Sequence, residues 1–363
     1  MGFEADKNYM MQAIKLAKKG IGRTKPNPTV GAVLVKQNKV IGQGYHKGPG
    51  KDHAEIAAIK NATQSVTNST LYVTLEPCCH SGRTGPCTDE IIKSKIKRVV
   101  IASKDPFSLV NGKGVRILRK AGIEVTTNIL HKEAQMLNEG YFVFHKEKRP
   151  FVTLKLAQSL DGKIATVEGD SKYLSSKESL KFVHQLRMQS DAVVIGGNTL
   201  RTDNPQLTVR MVKGENPYRI VLSKRLDFSD KYALIRNKDN KTIIASTDRA
   251  IKRFIKSKRS SNIIYWSLKP HGNSIDLNDL LSKAYEFEFH SLLFEGGAEL
   301  ASSLLREKLV DRLILVITPY IIGKGIDSFV DYEIKNLQSK LSFSSYEFKE
   351  VGKDIVLEGY FKK

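Results

Sequence analysis

Cysteine and tryptophan are scarce in this chain, which has three cysteines and a single tryptophan among 363 residues. An odd number of cysteines in so long a chain excludes the disulfide-stapled scaffold of small secreted domains. No run of about 18 apolar residues is present, so no membrane-spanning helix is expected. The first residues lack the basic and apolar regions of a secretory leader, and we therefore expect a protein of the cytoplasm.

Acidic residues are few relative to basic ones: 38 Asp and Glu stand against 59 Lys and Arg, a formal net charge of +21. The excess is spread along the chain, and its densest run is 249–259. There Ile251, Phe254 and Ile255 have the spacing of the apolar stripe of an amphipathic helix. We interpret the basic face of this helix as a solvated surface. A site for a phosphate backbone is the less favoured alternative, because many of the cations are Lys rather than Arg.

The length predicts two domains at roughly 150 residues each. Hydrophobic periodicity predicts an α/β pattern in both halves, and the polar stretch 145–150 separates domains 1–147 and 148–363. In the first half we predict helices at 6–19, 53–61, 88–94 (with Thr88 as the N-cap) and 115–121, and strands at 30–35, 40–45, 69–75, 99–103 and 123–127. In the second half we predict helices at 176–188, 276–287 and 298–308, and strands at 151–157, 191–195, 218–222, 242–246, 262–265, 290–294, 311–317 and twice within 343–361.

The most informative residues lie between 53 and 87. His53-Ala-Glu55 precedes two Pro-Cys pairs, at Cys78 and Cys87. One imidazole and two thiolates leave the fourth position of a zinc ion open for water, whose pKa the metal lowers to about 7. Glu55 can then carry the proton of that water without binding the metal. This is the H-x-E and P-C pattern of zinc deaminases, although eight residues rather than two separate the cysteines.

The cysteines of this segment are also compatible with roles outside catalysis. Cys79 is expected to be a small buried side chain, since adjacent residues seldom bind the same metal. A purely structural zinc is possible, but it would normally have a fourth protein ligand. The combination of His-Ala-Glu with two Pro-Cys pairs therefore favours a hydrolytic zinc site.

Several further segments carry a family resemblance: Thr24–Gly31, Gly44–His46, His53–Glu55, Leu75–Cys87, Asp105–Pro106 and Gly112–Gly114. In these the chain resembles the deaminase half of the bifunctional riboflavin-biosynthesis deaminase–reductase family. The resemblance implies a cytidine-deaminase-like three-layer α/β domain, in which His53, Cys78 and Cys87 bind zinc and Glu55 shuttles the proton. The substrate contacts that it implies are Asn27, His46, Arg83 and Asp105. One departure is Phe107, which stands where the family usually has Asn.

The second half has no G-x-G-x-x-G after a strand, so a Rossmann domain is not indicated. It has two strand–Gly-Gly–helix junctions, at Gly196-Gly197 and Gly296-Gly297. Glycines let a backbone approach a ligand, and a helix N-terminus attracts phosphate. A tight turn that packs a helix on a strand is the alternative for each junction.

Segments 154–165, 186–187 and 203–210 resemble the reductase half of the same family, a dihydrofolate-reductase-like α/β domain that uses NADPH. The substrate contacts implied by this resemblance are Lys155, Ser171, Arg187, Leu207, Arg210 and Glu295. The implied cofactor contacts are Ala157, Tyr173, Thr199, Asp203, Gly297, Ala298 and Glu299. Tyr173 stands where the family commonly has Trp.

The expected activity is therefore a two-step conversion in riboflavin biosynthesis. Zinc-dependent deamination of 2,5-diamino-6-ribosylamino-4(3H)-pyrimidinone 5′-phosphate is followed by NADPH-dependent reduction of the ribosyl group to ribityl. The expected partners are this small phosphorylated pyrimidine and further copies of the chain, without nucleic acid or membrane. Two alternatives stay open: a nucleic-acid or nucleoside deaminase with a basic C-terminal binding module, and an interaction protein in which zinc is only structural.

Overall fold

The computed structural model describes residues 2–80, 85–171, 174–229, 231–239, 241–257, 262–272 and 274–362. The chain divides into two compact units, Met1–Lys148 and Arg149–Lys363. Arg83 and Tyr173, two of the expected contact residues, lie outside the described residues. Within the described part of the chain, no helix combines the length and the apolar surface needed to cross a membrane.

The first unit is built on a sheet of five strands in the order β2-β1-β3-β4-β5. The outer hairpin β2-β1 and the pair β1-β3 are antiparallel, whereas β3-β4 and β4-β5 are parallel. Its strands are β1 Gly31–Lys36, β2 Lys39–Tyr45, β3 Thr70–Leu75, β4 Arg98–Ser103 and β5 Glu124–Thr127. Its helices are α1 Phe3–Ala17, α2 Ala54–Lys60, α3 Cys87–Lys93, α4 Lys113–Lys120, α5 His131–Met136 and α6 Glu139–Glu147, with a 3₁₀ turn at Lys18–Gly20.

Alternation along the strands of this unit produces three layers, because successive side chains point to opposite faces. Leu34 and Val73 belong to a core shared with α2, α3 and α4. Val33 and Tyr72, one position away on the same strands, belong to a second core shared with α1 and α5. The three-layer domain expected from the resemblance is therefore confirmed.

The second unit contains a sheet of nine described strands in the order β11-β10-β9-β8-β14-β6-β15-β18-β17. Strands β11 to β15 in this order run parallel, and the C-terminal hairpin β18-β17 adds antiparallel strands at one edge. The strands are β6 Phe151–Gln158, β7 Lys163–Thr166, β8 Ala192–Gly196, β9 Tyr218–Leu222, β10 Thr242–Ser246, β11 Ile263–Ser267, β12 Pro270–His271, β13 Ser274–Ile275, β14 Ser291–Glu295, β15 Arg312–Ile317, β16 Gly325–Asp327, β17 Phe343–Val351 and β18 Asp354–Phe361. Strands β12-β13 and β7-β16 form two small separate pairs.

Helices cover both faces of the larger sheet, so its central strands are apolar on both sides. Val194 and Phe294 pack in one core, and Val193 and Leu293 pack in the other. The helices are α7 Lys177–Gln189, α8 Gly197–Asp203, α9 Ala233–Arg236, α10 Asp248–Ser257, α11 Leu277–Glu286 and α12 Ala298–Arg306, with a 3₁₀ turn at Leu337–Ser339. Ser176 and Asp276 cap α7 and α11 by accepting N–H bonds with their side chains.

Most predicted elements are present, and two details of the sequence interpretation are wrong. Thr88 is not an N-cap, because α3 already begins at Cys87 after the extended Pro86. Cys79 is not buried: it is partly exposed, and its Sγ lies 3.7 Å from the carbonyl oxygen of Leu109. Helices α5, α6 and α9 and the small strands were not predicted, since each is too short for a clear periodic signal, whereas α8 is the helix expected after Gly196-Gly197. The amphipathic helix within 249–259 is observed as α10, with Ile251 and Phe254 buried.

Candidate active sites

The three expected metal ligands come from three different elements of the first unit. His53 is the residue before α2, Cys78 follows β3, and Cys87 is the first residue of α3. Their ligand atoms lie within 4.8 Å of one another, and this is the group in the described residues that could hold a metal ion. The two Pro-Cys pairs thus place one sulfur atom just after β3 and the other at the start of α3, both close to the His53 imidazole.

The distances suit a tetrahedral metal. His53 Nδ1 lies 3.2 Å from Cys87 Sγ and 3.5 Å from Cys78 Sγ. Zn–N and Zn–S bonds of about 2.0 and 2.3 Å separate two tetrahedral ligands by about 3.5 Å. The backbone N–H of Cys87 also donates to Cys78 Sγ at 3.4 Å, and hydrogen bonding between the two thiols lowers the pKa of Cys78 while it raises that of Cys87. A thiolate at Cys78 is the form that binds zinc, so the residues fit the metal.

Glu55 lies in the first turn of α2, two residues after His53, and is 4% exposed. Burial raises the pKa of its carboxyl to about 7, and the negative charge of Cys78 adds to the rise. A carboxyl group that titrates near neutrality can both take and give a proton. It stands beside the candidate metal ligands and is not among them.

Helix α2 is held close to β2, and this fixes both His53 and Glu55. A Cβ built on Gly44 would lie 2.3 Å from the carbonyl oxygen of Ala54 and 2.4 Å from the N–H nitrogen of Ala58. Only glycine permits this approach of helix and strand. The glycine in the Gly-Tyr-His segment therefore has a packing role next to the candidate site.

Asn27 and His46 lie together beside the metal ligands. The His46 ring packs edge-on against the His53 ring with 5.4 Å between centroids. His46 Nδ1 donates to the carbonyl oxygen of Asp52 at 3.1 Å, so its Nε2 accepts from Asn27 Nδ2 at 3.0 Å. Burial lowers the pKa of His46, which keeps the ring neutral for this arrangement. Asn27 Oδ1 accepts no hydrogen bond from the described residues and can receive a donor from a ligand.

Asp105 follows β4 and is 6% exposed. Its Oδ1 accepts from the N–H of Phe107 at 2.8 Å and from the hydroxyl of Tyr141 at 2.9 Å. Burial raises the pKa of this carboxyl to about 6, against the effect of both hydrogen bonds. The expected substrate contacts Asn27, His46 and Asp105 are thus all in the unit that holds the metal ligands.

Glu76 is a site residue that the sequence analysis missed. Its carboxylate accepts N–H groups from Asp105 at 3.3 Å, Gly112 at 2.9 Å and Val115 at 3.0 Å. It therefore fixes the loop after β4 and the start of α4 against the segment that leads to Cys78. A glutamate immediately before a Pro-Cys pair was the signal available in the sequence.

In the second unit, three of the expected substrate residues, Lys155, Arg187 and Glu295, lie close together at the carboxyl end of β14. Arg187 of α7 holds Glu295 at the end of β14 through Nε–Oε1 and Nη2–Oε2 contacts of 2.6 and 2.7 Å. Lys155 of β6 lies opposite Glu295 in the register of the parallel strand pair β6-β14. Burial lowers the pKa of Lys155, and the Glu295 carboxylate opposes that change. Ligands of open α/β sheets bind at such strand ends.

The segment 207–210 closes one side of this cluster. Arg187 Nη1 donates to the Thr208 carbonyl at 3.4 Å, and the N–H of Arg210 donates to His184 Nδ1 at 3.1 Å. Leu207 is buried with φ at +51°, an uncommon conformation for a branched residue that the surrounding contacts must hold. Arg210 itself is exposed, and Ser171 is exposed as well.

Two neighbouring strand–helix junctions carry five of the expected cofactor residues, Thr199, Asp203, Gly297, Ala298 and Glu299. Thr199 lies in α8 after β8, and its Oγ1 is 3.9 Å from the position a Cβ would take on Gly297, before α12. Nothing lies within 4 Å of a Cβ position on Gly196, so the backbone there is open to a ligand. Open glycines at a helix N-terminus suit the phosphates of NADPH. Ala157 is half-buried on β6, Ala298 begins α12, and Asp203 and Glu299 are exposed.

Comparison with known families matches each unit separately. Residues 3–103 match the model of the cytidine and deoxycytidylate deaminase zinc-binding region, and residues 150–357 match the RibD C-terminal domain. The second match spans more than half of the chain. The candidate metal ligands at 53, 78 and 87 all fall inside the first match.

Relatives match over the full length. The riboflavin biosynthesis protein RibD of Aquifex aeolicus is 43% identical over 361 residues, 99% of each chain, and that of Escherichia coli is 33% identical over 97% of this chain and 98% of its own. The solved structure of Acinetobacter baumannii RibD superposes with a TM-score of 0.89 at 33% identity over all of both chains. A Thermotoga maritima structure, titled a diaminohydroxyphosphoribosylaminopyrimidine deaminase/5-amino-6-(5-phosphoribosylamino)uracil reductase, superposes with a TM-score of 0.87 at 35% identity over 99% of both chains. The chain therefore belongs to the RibD family of bifunctional riboflavin-biosynthesis enzymes, with a zinc-binding deaminase domain and an NADPH-dependent reductase domain.

Proposed function

We propose that the first unit deaminates 2,5-diamino-6-ribosylamino-4(3H)-pyrimidinone 5′-phosphate at the centre formed by His53, Cys78, Cys87 and Glu55. The observation that carries this proposal is the convergence of the three ligand atoms within 4.8 Å beside a buried carboxyl. A zinc ion held by these ligands supplies a Lewis acid that lowers the pKa of water to about 7. Glu55 takes a proton from the attacking water at its carboxylate and gives it to the amine nitrogen, so that ammonia leaves as the C–N bond breaks.

Substrate binding in this unit falls to Asn27, His46, Asp105 and Arg83. The Oδ1 of Asn27, to which no described residue donates, accepts an N–H of the pyrimidine, while His46 holds the amide in that orientation. Asp105 accepts a second donor from the substrate. Arg83, which lies outside the described residues, is assigned to the phosphate on its chemistry alone.

The second unit reduces the ribosyl group of the deaminated product to ribityl. NADPH supplies the hydride when bound, and the protein supplies orientation. Glu295, held by Arg187, fixes the sugar together with Lys155 and the 207–208 segment. Because Arg187 already donates to Glu295 and to Thr208, the exposed Arg210 is the better cation for the substrate phosphate. Ser171 completes the substrate contacts, and Ala157, Tyr173, Thr199, Asp203 and the 297–299 segment hold NADPH.

We also propose that the enzyme works in the cytoplasm as a homo-oligomer and takes a free nucleotide-like substrate rather than a nucleic acid. The exposed aromatic side chains Tyr346 and Phe348 on the edge strand β17 support association between copies. Light scattering of the purified protein tests the oligomer. Salt-dependent binding of single-stranded DNA or RNA, without NADPH binding, would favour the nucleic-acid alternative instead.

One incubation tests the two activities. The enzyme is given the diaminopyrimidine phosphate with and without NADPH, and ammonia and NADPH absorbance are followed separately. Ammonia release that does not need NADPH, followed by NADPH oxidation, is the expected result. NADPH oxidation with no ammonia, or metal bound at one ion per chain with neither activity, would contradict the proposal.

A further inference from the structure

The two oxygens of the Asp105 carboxylate have different surroundings. Oδ1 accepts two hydrogen bonds, from the N–H of Phe107 and from the hydroxyl of Tyr141. Oδ2 accepts none from the described residues. The carboxylate is therefore fixed at one oxygen and leaves the other for a ligand.

Tyr141 comes from a part of the chain that neither family model covers. It lies in α6, between the matched ranges 3–103 and 150–357. Its hydroxyl donates to Oδ1 of Asp105, which lies 36 positions earlier in the chain, at 2.9 Å. Hydrogen bonds to a carboxylate are shorter and stronger than those between neutral groups.

Contacts between aromatic rings hold α6 in this position. His145 lies one turn after Tyr141. The centroid of its ring is 4.5 Å from that of the Tyr141 ring and 5.0 Å from that of the Phe107 ring. The Phe107 ring also makes a T-shaped contact with the ring of His80, two residues after Cys78, with 5.8 Å between centroids. The ring cluster His80, Phe107, Tyr141 and His145 thus links α6 to the loop after β4 and to the segment after Cys78.

We propose that Tyr141 is a positioning residue for deamination, which holds Asp105 through Oδ1 so that Oδ2 faces an N–H or O–H donor of the substrate. This proposal rests on the proposed function, since Asp105 is a substrate contact only if the first unit binds the aminopyrimidine. Without the hydroxyl, the carboxylate keeps only the Phe107 N–H and can rotate away from the substrate. The consequence is weaker substrate binding, while the groups at the metal centre stay in place.

A double-mutant cycle tests the proposal in the full-length, zinc-loaded enzyme. Tyr141→Phe, Asp105→Ala and the double variant are compared by steady-state ammonia release from the diaminopyrimidine phosphate. Tyr9→Phe is the matched control, because Tyr9 lies in the same unit and its hydroxyl donates to the carbonyl of Asn38 at 2.9 Å. Zinc content and the melting temperature are measured for each variant.

The expected result for Tyr141→Phe is an increase in KM of at least about 10-fold, on the scale of one lost hydrogen bond to a charged group. Its kcat stays within about twofold, zinc stays at one ion per chain, and Tyr9→Phe matches the unsubstituted enzyme. In the Asp105→Ala background, Tyr141→Phe causes no further rise in KM, because it acts through Asp105. Loss of stability alone would not produce this coupling.

Several outcomes overturn the proposal. One is an unchanged KM in Tyr141→Phe. Another is a rise in KM caused by Tyr141→Phe that is as large in the Asp105→Ala background as in the unsubstituted enzyme. If Asp105→Ala does not fold, the KM of Tyr141→Phe relative to Tyr9→Phe decides alone. Absence of ammonia from the unsubstituted enzyme would instead contradict the proposed function, and this proposal with it.

Discussion

The substitution Glu295→Gln tests how the reductase site is held together. Glu295 and Arg187 have side chains that are each 12% exposed and make two short contacts. Glutamine keeps the shape and removes the charge. The Arg187 and Lys155 cations, which both interact with Glu295, are then left without their carboxylate in a poorly solvated place.

The expected cost follows from that burial. Two unit charges about 4 Å apart interact by about 4 kcal/mol at an effective dielectric constant of about 20. Removal of one partner from a buried ion pair costs about 3–5 kcal/mol. With a urea dependence of about 3 kcal/mol per molar for a domain of this size, the unfolding midpoint of the second unit should fall by about 1–2 M. Reduction should be lost as well, and ammonia release should persist.

Fluorescence gives a readout limited to this unit, because the single tryptophan of the chain is Trp266, which is buried there. Glu286→Gln is the matched control: Glu286 pairs with Lys283 at 2.7 Å, but the side chains are 63% and 40% exposed. Such surface pairs contribute about 0–1 kcal/mol. Equal urea midpoints for Glu295→Gln and Glu286→Gln would refute the reasoning.

Three further predictions concern packing, pH and metal. Gly44→Ala should push α2 from β2 and reduce zinc content and ammonia release while NADPH oxidation persists; wild-type zinc content in this variant would contradict the close approach. Burial and neighbouring guanidinium groups lower the pKa of His184 to about 4, so between about pH 6.5 and 4 unfolding takes up a proton and the free energy of unfolding falls as the pH is lowered. His184→Gln should remove part of that fall in urea titrations at pH 7 and 5, and an unchanged pH dependence would count against it. A zinc chelator should stop ammonia release, reversibly on addition of zinc, and leave reduction of the deaminated substrate intact, whereas loss of both activities would argue against independent sites.

Local patterns in the sequence were enough to single out the candidate metal ligands, which the structure brings together, and most of the strands. His53 immediately precedes α2 and Glu55 lies in its first turn, and each Pro-Cys pair lies at the end of an element, so the sequence spacing determines the geometry. Apolar runs likewise identified the buried strands of both sheets, because each core strand is long enough to show its pattern.

Contacts between distant segments could not be predicted in this way. The Tyr141–Asp105 bond joins a loop to a short helix that has no distinct periodicity, and the Arg187–Glu295 pair joins residues 108 positions apart. Cys79 was expected to be buried because free cysteines usually are, but the turn between Cys78 and His80 leaves it partly exposed. We predicted that α3 begins at Thr88, with that residue as its N-cap. The helix instead begins one residue earlier, with the candidate metal ligand Cys87 in its first position.

The central claim is that a carboxyl beside the metal ligands drives ammonia release in a site separate from the reductase. Glu55→Gln, measured with the diaminopyrimidine phosphate for ammonia and with the deaminated substrate for NADPH oxidation, tests it most directly. Ammonia release should fall by at least about 100-fold, on the scale of a lost general acid–base group, while zinc content and NADPH oxidation stay at wild-type levels. Ammonia release at the wild-type rate in a folded, zinc-loaded Glu55→Gln enzyme would contradict the account.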